Sequence, residues 1–285
     1  MSFTVVGARG FIGRHLLDTL TAQGDPVVGL DRQSLAGDDA ELFDRPLGHV
    51  IYCVGLTADF RQRPFDVVDS HVVVLQRLLQ HARFDSLTYL SSTRLYTSSH
   101  STDERAALVV RPNDPNDLYN LSKLMGESLC LNSGRPARVA RLSNVYGPDF
   151  RSCNFLTQVL VEAARRGTVT FRSAPTSEKD YVALDDVIGW LISIARRGTQ
   201  QIYNLACGAN VSNESIASEL RRLGVGVDFA PDAPTWSFLE IDASKVHEEF
   251  FLPRGRLLAD LPGLLRGFRS HLLCGGADAA ANGNK

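Results

Sequence analysis

Tyr119 and Lys123 stand four residues apart in the run Tyr119-Asn120-Leu121-Ser122-Lys123. Residues at that spacing share one face of a helix. An ammonium beside a phenol favours the phenolate and lowers its pKa. The pair is therefore expected to exchange a proton with a substrate hydroxyl near neutral pH, with Tyr119 as general acid/base. Ser92 closes an apolar run, Leu87 to Leu90 followed by Ser91-Ser92, and can hydrogen-bond the same oxygen. A Tyr and a Lys at this spacing also meet by chance on many helices. The weight of the pair depends on what precedes it.

What precedes it is a glycine turn, Gly7-Ala8-Arg9-Gly10-Phe11-Ile12-Gly13, with the spacing G-x-x-G-x-x-G. Glycines between a strand and a helix permit a tight turn and close approach of backbone to a pyrophosphate. The helix N-terminus then offers free N–H groups to the phosphates. Asp31 follows Gly13 by eighteen residues at the end of the next apolar run. A carboxylate there accepts hydrogen bonds from the ribose hydroxyls of NAD and repels the 2′-phosphate of NADP. Arg9 and Arg32 oppose this, since either guanidinium suits a 2′-phosphate, so NAD is expected and NADP is the alternative.

The elements that must hold these residues follow from the hydrophobic pattern. Apolar runs at Ser2–Val6, Pro26–Leu30, Val50–Val54, Leu87–Leu90 and Ala137–Leu142 read as strands, each closing near Gly, Asp or Ser. Helical spacing marks Phe11 to Leu20, Val67–Leu79 and Leu118–Leu131 between them. This alternation predicts an α/β fold, a doubly wound Rossmann sheet of parallel strands with helices on both faces. Beyond Gly147-Pro148 the pattern predicts helices at Phe155–Arg166, Asp185–Ala195 (capped by Asp185 or Asp186) and Ser212–Leu223, the last with an imperfect capping box from Ser212 to Ser215. Strands are expected at Val169–Phe171 and Ile202–Leu205. The expected division is a dinucleotide-binding domain over 1–147, an interleaved, smaller α/β substrate domain over 148–273, and a disordered tail over 274–285. The polar stretch Thr97–Asp117 is long enough to border a site.

Composition narrows the partners. The chain has 285 residues, 44% apolar, and 30 Lys+Arg against 32 Asp+Glu, a net charge of −2. With no basic run, a nucleic-acid partner is not expected. No apolar stretch approaches the ~20 residues of a membrane span, so no membrane partner is expected either. The opening Met-Ser-Phe-Thr-Val-Val-Gly lacks the features of a secretory signal. Five scattered cysteines, Cys53, Cys130, Cys153, Cys207 and Cys274, form no Cys-x-x-Cys or Cys/His cluster. Reduced thiols, a cytoplasmic setting and no bound metal are the expectation.

With these motifs in order, the chain resembles the extended short-chain dehydrogenase/reductases, the sugar-nucleotide epimerase, dehydratase and reductase group. The matches are Gly7–Gly13, Asp31, Val50 to Gly55, Ser91 to Tyr96, Tyr119–Lys123, Arg141 to Pro148, Lys179 to Val187 and Ile202 to Leu205. The resemblance implies a nicotinamide cofactor, Tyr119 as acid/base, Lys123 on the nicotinamide ribose and Ser92 orienting the substrate. It places Gly7, Arg9, Gly10, Phe11, Ile12, Gly13, Asp31, Arg32, Cys53, Val54, Gly55, Leu56 and Ser143 at the cofactor. It places Thr93, Arg94, Asn144, Asn154 and Lys179 at the substrate with Ser92. It implies a homodimer in which helices Val67–Leu79 and Leu118–Leu131 pair with their copies as a four-helix bundle.

The chain departs from the pattern in several places. Ser70-His71 stands where the family usually has Asn, and His71 is expected to be structural. Lys179 replaces an Arg. The segment Pro231 to Phe238 lacks the Arg that grips a nucleotide diphosphate. Arg61, Arg63 and Arg111 are expected at the solvated surface. Thr93 and Arg94 occupy the positions where the family's dehydratases carry Asp and Glu, and neither titrates near pH 7. The expected function is redox-neutral sugar epimerisation. A net reductase or dehydrogenase is the alternative, a catalytically silent cofactor-binding regulator the third, and 4,6-dehydration is expected to be excluded. Arg94 could instead hold a carboxylate or phosphate of the substrate.

Overall fold

Short apolar runs pair into sheets, and amphipathic runs cover them. In the computed structural model, the described residues are 1–31, 34, 45–56, 60–150, 152 and 154–281, with side chains as far as residue 273. The first half runs β1 (Phe3–Val6), α1 (Phe11–Ala22), β2 (Val27–Leu30), β3 (His49–Tyr52), α2 (Pro64–Val68), a π-helical turn (Asp69–Val73), α3 (Val74–His81) and β4 (Ser86–Ser92). A 3-10 turn (Thr93–Tyr96) leads towards α4 (Asp117–Asn132) and β5 (Ala137–Leu142). The second half runs β6 (Asn144–Tyr146), α5 (Phe155–Arg166), β7 (Thr168–Phe171), β8 (Glu178–Ala183), α6 (Leu184–Arg197) and β9 (Ile202–Leu205). It ends with β10 (Asn210–Ser212), α7 (Asn213–Arg222), β11 (Gly226–Phe229), α8 (Ser244–Glu249) and α9 (Leu257–Ala281).

Six parallel strands form the main sheet in the order β2-β1-β3-β4-β5-β9. This is the doubly wound Rossmann architecture. Both faces are buried, so its strands carry apolar residues in both directions. Val5 and Ile51 pack with Leu16, Leu20 and Trp190 on the side of α1 and α6. Val6, Val50 and Tyr52 pack with Leu75, Leu78 and Cys130 on the side of α3 and α4. The chain reverses direction across the sheet between β1 and β3, and such a switch point opens a crevice at the C-terminal strand ends. Register brings Val6 level with Tyr52 and Ser92 level with Leu142 at that edge.

The later elements build a second layer beside it. β6 and β8 pair in parallel and β8 and β10 antiparallel, while β7 and β11 make a two-stranded sheet. Their core gathers Leu156, Leu160, Phe171, Leu220, Leu261 and Phe268. β9 returns from this half to close the edge of the main sheet.

The structure differs from the expected boundaries in ways with physical causes. Neither Asp185 nor Asp186 caps α6: the N-cap is Ala183, without a side-chain cap. Asp186 is buried, and its Oδ2 accepts the N–H groups of Arg254 and Gly255 at 3.0 and 2.8 Å. β6, β8 and β10 were not expected as strands, because they are short and mixed in polarity. α9 continues to Ala281, into the 274–285 segment expected to be disordered; its alanines are the best helix formers, and each added residue extends an existing helix. The expected cap at Ser212 is present, accepting Ser215 N–H at 3.1 Å.

Candidate active site

The glycine turn lies at the switch point. Gly7 has φ of +86°, and a Cβ there would meet the Cys53 carbonyl carbon and Val54 nitrogen at 3.0 Å. A Cβ at Gly13 would collide with the Gly7 carbonyl, so α1 can start this close to β1 only with glycine. Gly10 precedes Phe11 at the start of α1, and that end has neither a side-chain cap nor an acidic residue in its first turn. Helix N–H groups left this way suit a pyrophosphate. At the end of β2, Asp31 Oδ2 pairs with Arg9 Nη2 at 2.7 Å, and its Oδ1 accepts the N–H and hydroxyl of Ser34 at 2.9 Å. Arg32 and the contacts anticipated near Asp38 lie outside the described residues. These features fit a dinucleotide with an unphosphorylated adenosine ribose.

Lys123 stands at the inner end of the crevice. Its Nζ donates to the Leu90 carbonyl at 2.8 Å, and a Cβ on Gly55 would lie 3.4 Å from Nζ. Lys123 thus faces the loop Cys53 to Leu56, where the nicotinamide ribose is expected. Burial lowers its pKa to about 7, against the pull of Glu127. Burial also pushes the Cys53 thiol up to about 12, which removes it as a nucleophile near neutral pH.

Tyr119 is buried, with its ring edge-on to His71 at 5.4 Å and tilted on Phe60 at 5.5 Å. Burial raises its phenol pKa; the Ser92 hydroxyl and then the Arg94 charge pull it back. Lys123 Nζ is 5.9 Å from the ring centroid and already bonded to Leu90. A second cation stands as close to the phenol ring: the guanidinium carbon of Arg94 is 5.6 Å from its centroid.

A cavity of ≈ 860 Å³ opens in front of Tyr119. Ser92, Thr93, Arg94, Ser143, Asn144 and Lys179 line it, as do Thr97, Ser98, Ser99, Arg111, Asp114, Asn116 and Asp117 from the long polar stretch. Ser143 was expected at the cofactor; here its hydroxyl donates to the Asp180 carbonyl at 3.0 Å and it stands in the cavity wall. Asn144 Nδ2 donates to the same carbonyl at 2.8 Å. Lys179 Nζ lies 4.9 Å from the Phe155 ring centroid, and burial lowers its pKa. Asn154 is not among the lining residues: its Oδ1 caps α5 through Thr157 N–H at 2.8 Å. Arg61 and Arg111 are exposed, as expected, and also line the cavity. A second recess of ≈ 870 Å³ beside Tyr146, Asp186 and Arg254 contains none of Ser92, Tyr119 and Lys123.

Two supports lie beneath the site: His71, structural as expected but with partners the sequence did not name, and a buried ion pair that was not foreseen. His71 is fully buried and its Nε2 accepts the Leu56 N–H at 3.2 Å. Its Nδ1 therefore carries the proton and donates to Ser122 Oγ at 2.8 Å, which donates to the Tyr119 carbonyl at 2.8 Å. Beneath Lys123, Arg141 makes a two-pronged bond to Glu127 at 2.9 and 2.7 Å, both side chains 3% exposed. The only sequence signal was a His in an otherwise apolar helix and an Arg within a strand.

Among the described residues, no cluster of His, Cys, Asp and Glu could hold a metal ion, and no helix is long and apolar enough to cross a membrane. The chain is 21% identical to a UDP-glucuronic acid decarboxylase of Arabidopsis thaliana, over 96% of this chain and 71% of that one. It is 28% identical to a UDP-glucose 4-epimerase of Mycolicibacterium smegmatis, over 82% of this chain and 85% of that one. Its fold matches an NAD-dependent NDP-hexosamine 5,6-dehydratase involved in tunicamycin biosynthesis with a TM-score of 0.80 at 19% identity, covering 94% of this chain and 98% of that one. With epimerases, decarboxylases and dehydratases all among its likenesses, the expected exclusion of dehydratases is not supported. Residues 3–206 match the NAD dependent epimerase/dehydratase family, and the chain, with its glycine turn, Asp31 and Tyr119–Lys123 pair, belongs to that NAD-dependent family.

Proposed function

We propose that this protein epimerises a carbinol carbon of a nucleotide-linked sugar, with Tyr119 as the single acid/base. The observation that carries the reading is the placement of Tyr119. Its ring stands in the cavity wall beside Ser92 and Arg94, one helical turn before Lys123 at the cofactor loop. Bound NAD supplies a reversible hydride acceptor. Tyr119 takes the hydroxyl proton as the carbinol becomes a ketone and returns it when the ketone is reduced from its other face. Ser92 orients that oxygen. Lys123 and the loop Cys53 to Leu56 hold the ribose side, and α1 and Asp31 hold the pyrophosphate and adenosine ribose. Asn144 and Lys179 face the sugar and its carrier. The free thiols Cys53, Cys130 and Cys207 support a reduced, cytoplasmic setting for a homodimer.

Incubation with NAD and matched nucleotide hexoses, followed by chromatography of the sugars, tests the reading. The epimer should form without accumulation of free NADH. Stoichiometric NADH would instead support a net dehydrogenase. That second reading has one observation in its favour: the cavity wall contributed by Trp236, Ser237, Phe238 and Leu239 brings no arginine for a diphosphate. Sugar 4,6-dehydration is disfavoured within this proposal, because Thr93 and Arg94 can serve neither as acid nor as base. Asp103 and Glu104 do not line the cavity, and Glu104 is buried on Lys245 at 2.6 Å; the acids in its wall are Asp114, Asp117 and Asp180, the last accepting the N–H groups of Cys207, Gly208 and Ala209.

A further inference from the structure

Arg94 and Arg61 share one wall of the cavity. Their guanidinium carbons lie 5.2 and 4.5 Å from the Phe60 ring centroid. Both are tethered to a neutral residue: Arg61 donates to Asn116 Oδ1, 3.0 Å from Nε, and Arg94 Nη2 donates to the Asn116 carbonyl at 3.4 Å. Among the described residues, neither guanidinium has a carboxylate within ion-pair range. The two acids nearest them are engaged elsewhere. Asp117 accepts Arg111 N–H and Asn120 Nδ2, both at 2.7 Å, and Asp114 accepts the N–H and Nδ2 of Asn116 at 2.8 and 2.9 Å. Burial lowers the Arg94 pKa and Arg61 adds to that, against Tyr119, Asp117 and Asp114. Two like charges held together on one cavity wall, Arg94 half-buried and Arg61 exposed, with no carboxylate paired to either among the described residues, are a site for an anion.

We propose that the sugar handled by this protein carries a carboxylate on the carbon next to the reacting carbinol, and that Arg94 with Arg61 binds it. Position decides between a carboxylate on the ring and the phosphates of the carrier. Arg94 is 5.6 Å from the centroid of the ring whose hydroxyl takes the substrate proton. An anion gripped there lies beside the Tyr119 ring, on the side of the cavity where the reacting carbon must sit. The carrier's phosphates leave from the anomeric carbon, farther round the sugar. The planar fork of arginine matches a carboxylate with two parallel bonds, and the Phe60 ring stands beside both guanidinium groups. A hexuronic acid is the sugar class with that chemistry. The inference rests on Tyr119 acting at the reacting carbon.

The test titrates the NAD-loaded protein with matched pairs, UDP-glucose against UDP-glucuronic acid and GDP-mannose against GDP-mannuronic acid, and follows turnover of each. The uronate of a pair should bind about tenfold or more tighter than its neutral partner. In Arg94→Gln that ratio should fall to near one, and Arg94→Lys, which keeps the charge but loses the fork, should lie between. A neutral hexose that binds and turns over as well as its uronate in the parent protein overturns this inference and leaves the proposed function standing. A preference that survives Arg94→Gln intact also overturns it. Absence of binding by every member of both pairs overturns the proposed function and this inference together.

Discussion

His71 Nδ1 lies 2.8 Å from Ser122 Oγ, in the interior between the cofactor loop and the helix that carries Tyr119. The imidazole bridges Leu56 N–H on one side and, through Ser122, the Tyr119 carbonyl on the other. A doubly protonated ring would lose the Leu56 acceptor and place a charge close to Lys123. Burial, with Lys123 adding to it, brings the His71 pKa down to about 2. The π-helical turn at Asp69–Val73 is what points His71 into this gap, and such turns often mark functional positions.

The first prediction follows from that shift. The unfolded chain takes up the His71 proton below about pH 6.5, whereas the folded protein does not until about pH 2. The contribution of His71 is full above pH 6.5 and is lost as pH falls below it, by at most about 1.4 kcal/mol per pH unit. Urea unfolding at about pH 7 and about pH 5.5 should show His71→Asn losing less stability on acidification than the parent. Equal losses in the two proteins would count against the buried neutral ring.

Glu127→Gln should destabilise the fold by about 3–5 kcal/mol, since it leaves Arg141 charged and unpaired in the interior. Replacing both residues with apolar ones of similar volume should recover much of that loss. Denaturant midpoints of the single and double variants check both statements. A Glu127→Gln cost below about 1 kcal/mol would mean that the pair is solvated after all.

How much of this was legible beforehand depends on the range of the interactions. The Gly7–Gly13 turn and the Tyr119–Lys123 pair are local: backbone sterics and helix periodicity alone assign them. β5, α5 and β9 fell on their expected residues for the same reason. Asp186 was misread as a cap because its partners, Arg254 and Gly255, lie far along the chain. Glu127 with Arg141, and Arg61 beside Arg94, were hidden likewise because their partners come from other elements of the chain. Arg61 and Arg111 sit in polar stretches that read as solvated surface, and only the folding of those loops over Tyr119 makes them cavity walls. Helical spacing put Lys123 on the face of Tyr119, but it could not reveal that the Leu90 carbonyl also holds the ammonium or that Arg94 stands equally near the phenol ring.

Fluorescence titration should show NAD binding about tenfold or more tighter than NADP, because a 2′-phosphate would face Asp31. Asp31→Ala should narrow the gap by removing the carboxylate and releasing Arg9 from its 2.7 Å pair. Tighter NADP binding by the parent would mean that Arg9 dominates the ribose site.

Light scattering at micromolar concentration should give a dimer. α2, the π-helical turn and α4 leave Phe65, Val68, Val73 and Met125 exposed, at 88%, 41%, 40% and 53%. A patch of this kind is best covered by its own copy about a two-fold axis. Met125→Lys should shift the population towards monomer. A monomeric parent would contradict the expectation.

The central claim is that the Tyr119 hydroxyl moves the substrate proton, and the most direct measurement is the turnover of Tyr119→Phe on whichever nucleotide sugar the parent converts. The ring contacts to His71 and Phe60 remain in this variant, so folding and NAD binding should be unchanged by thermal melting and titration. The rate should fall by about 10²–10⁴-fold, the usual contribution of a general acid–base group. A variant that folds, binds NAD and retains turnover within about tenfold of the parent would contradict the account.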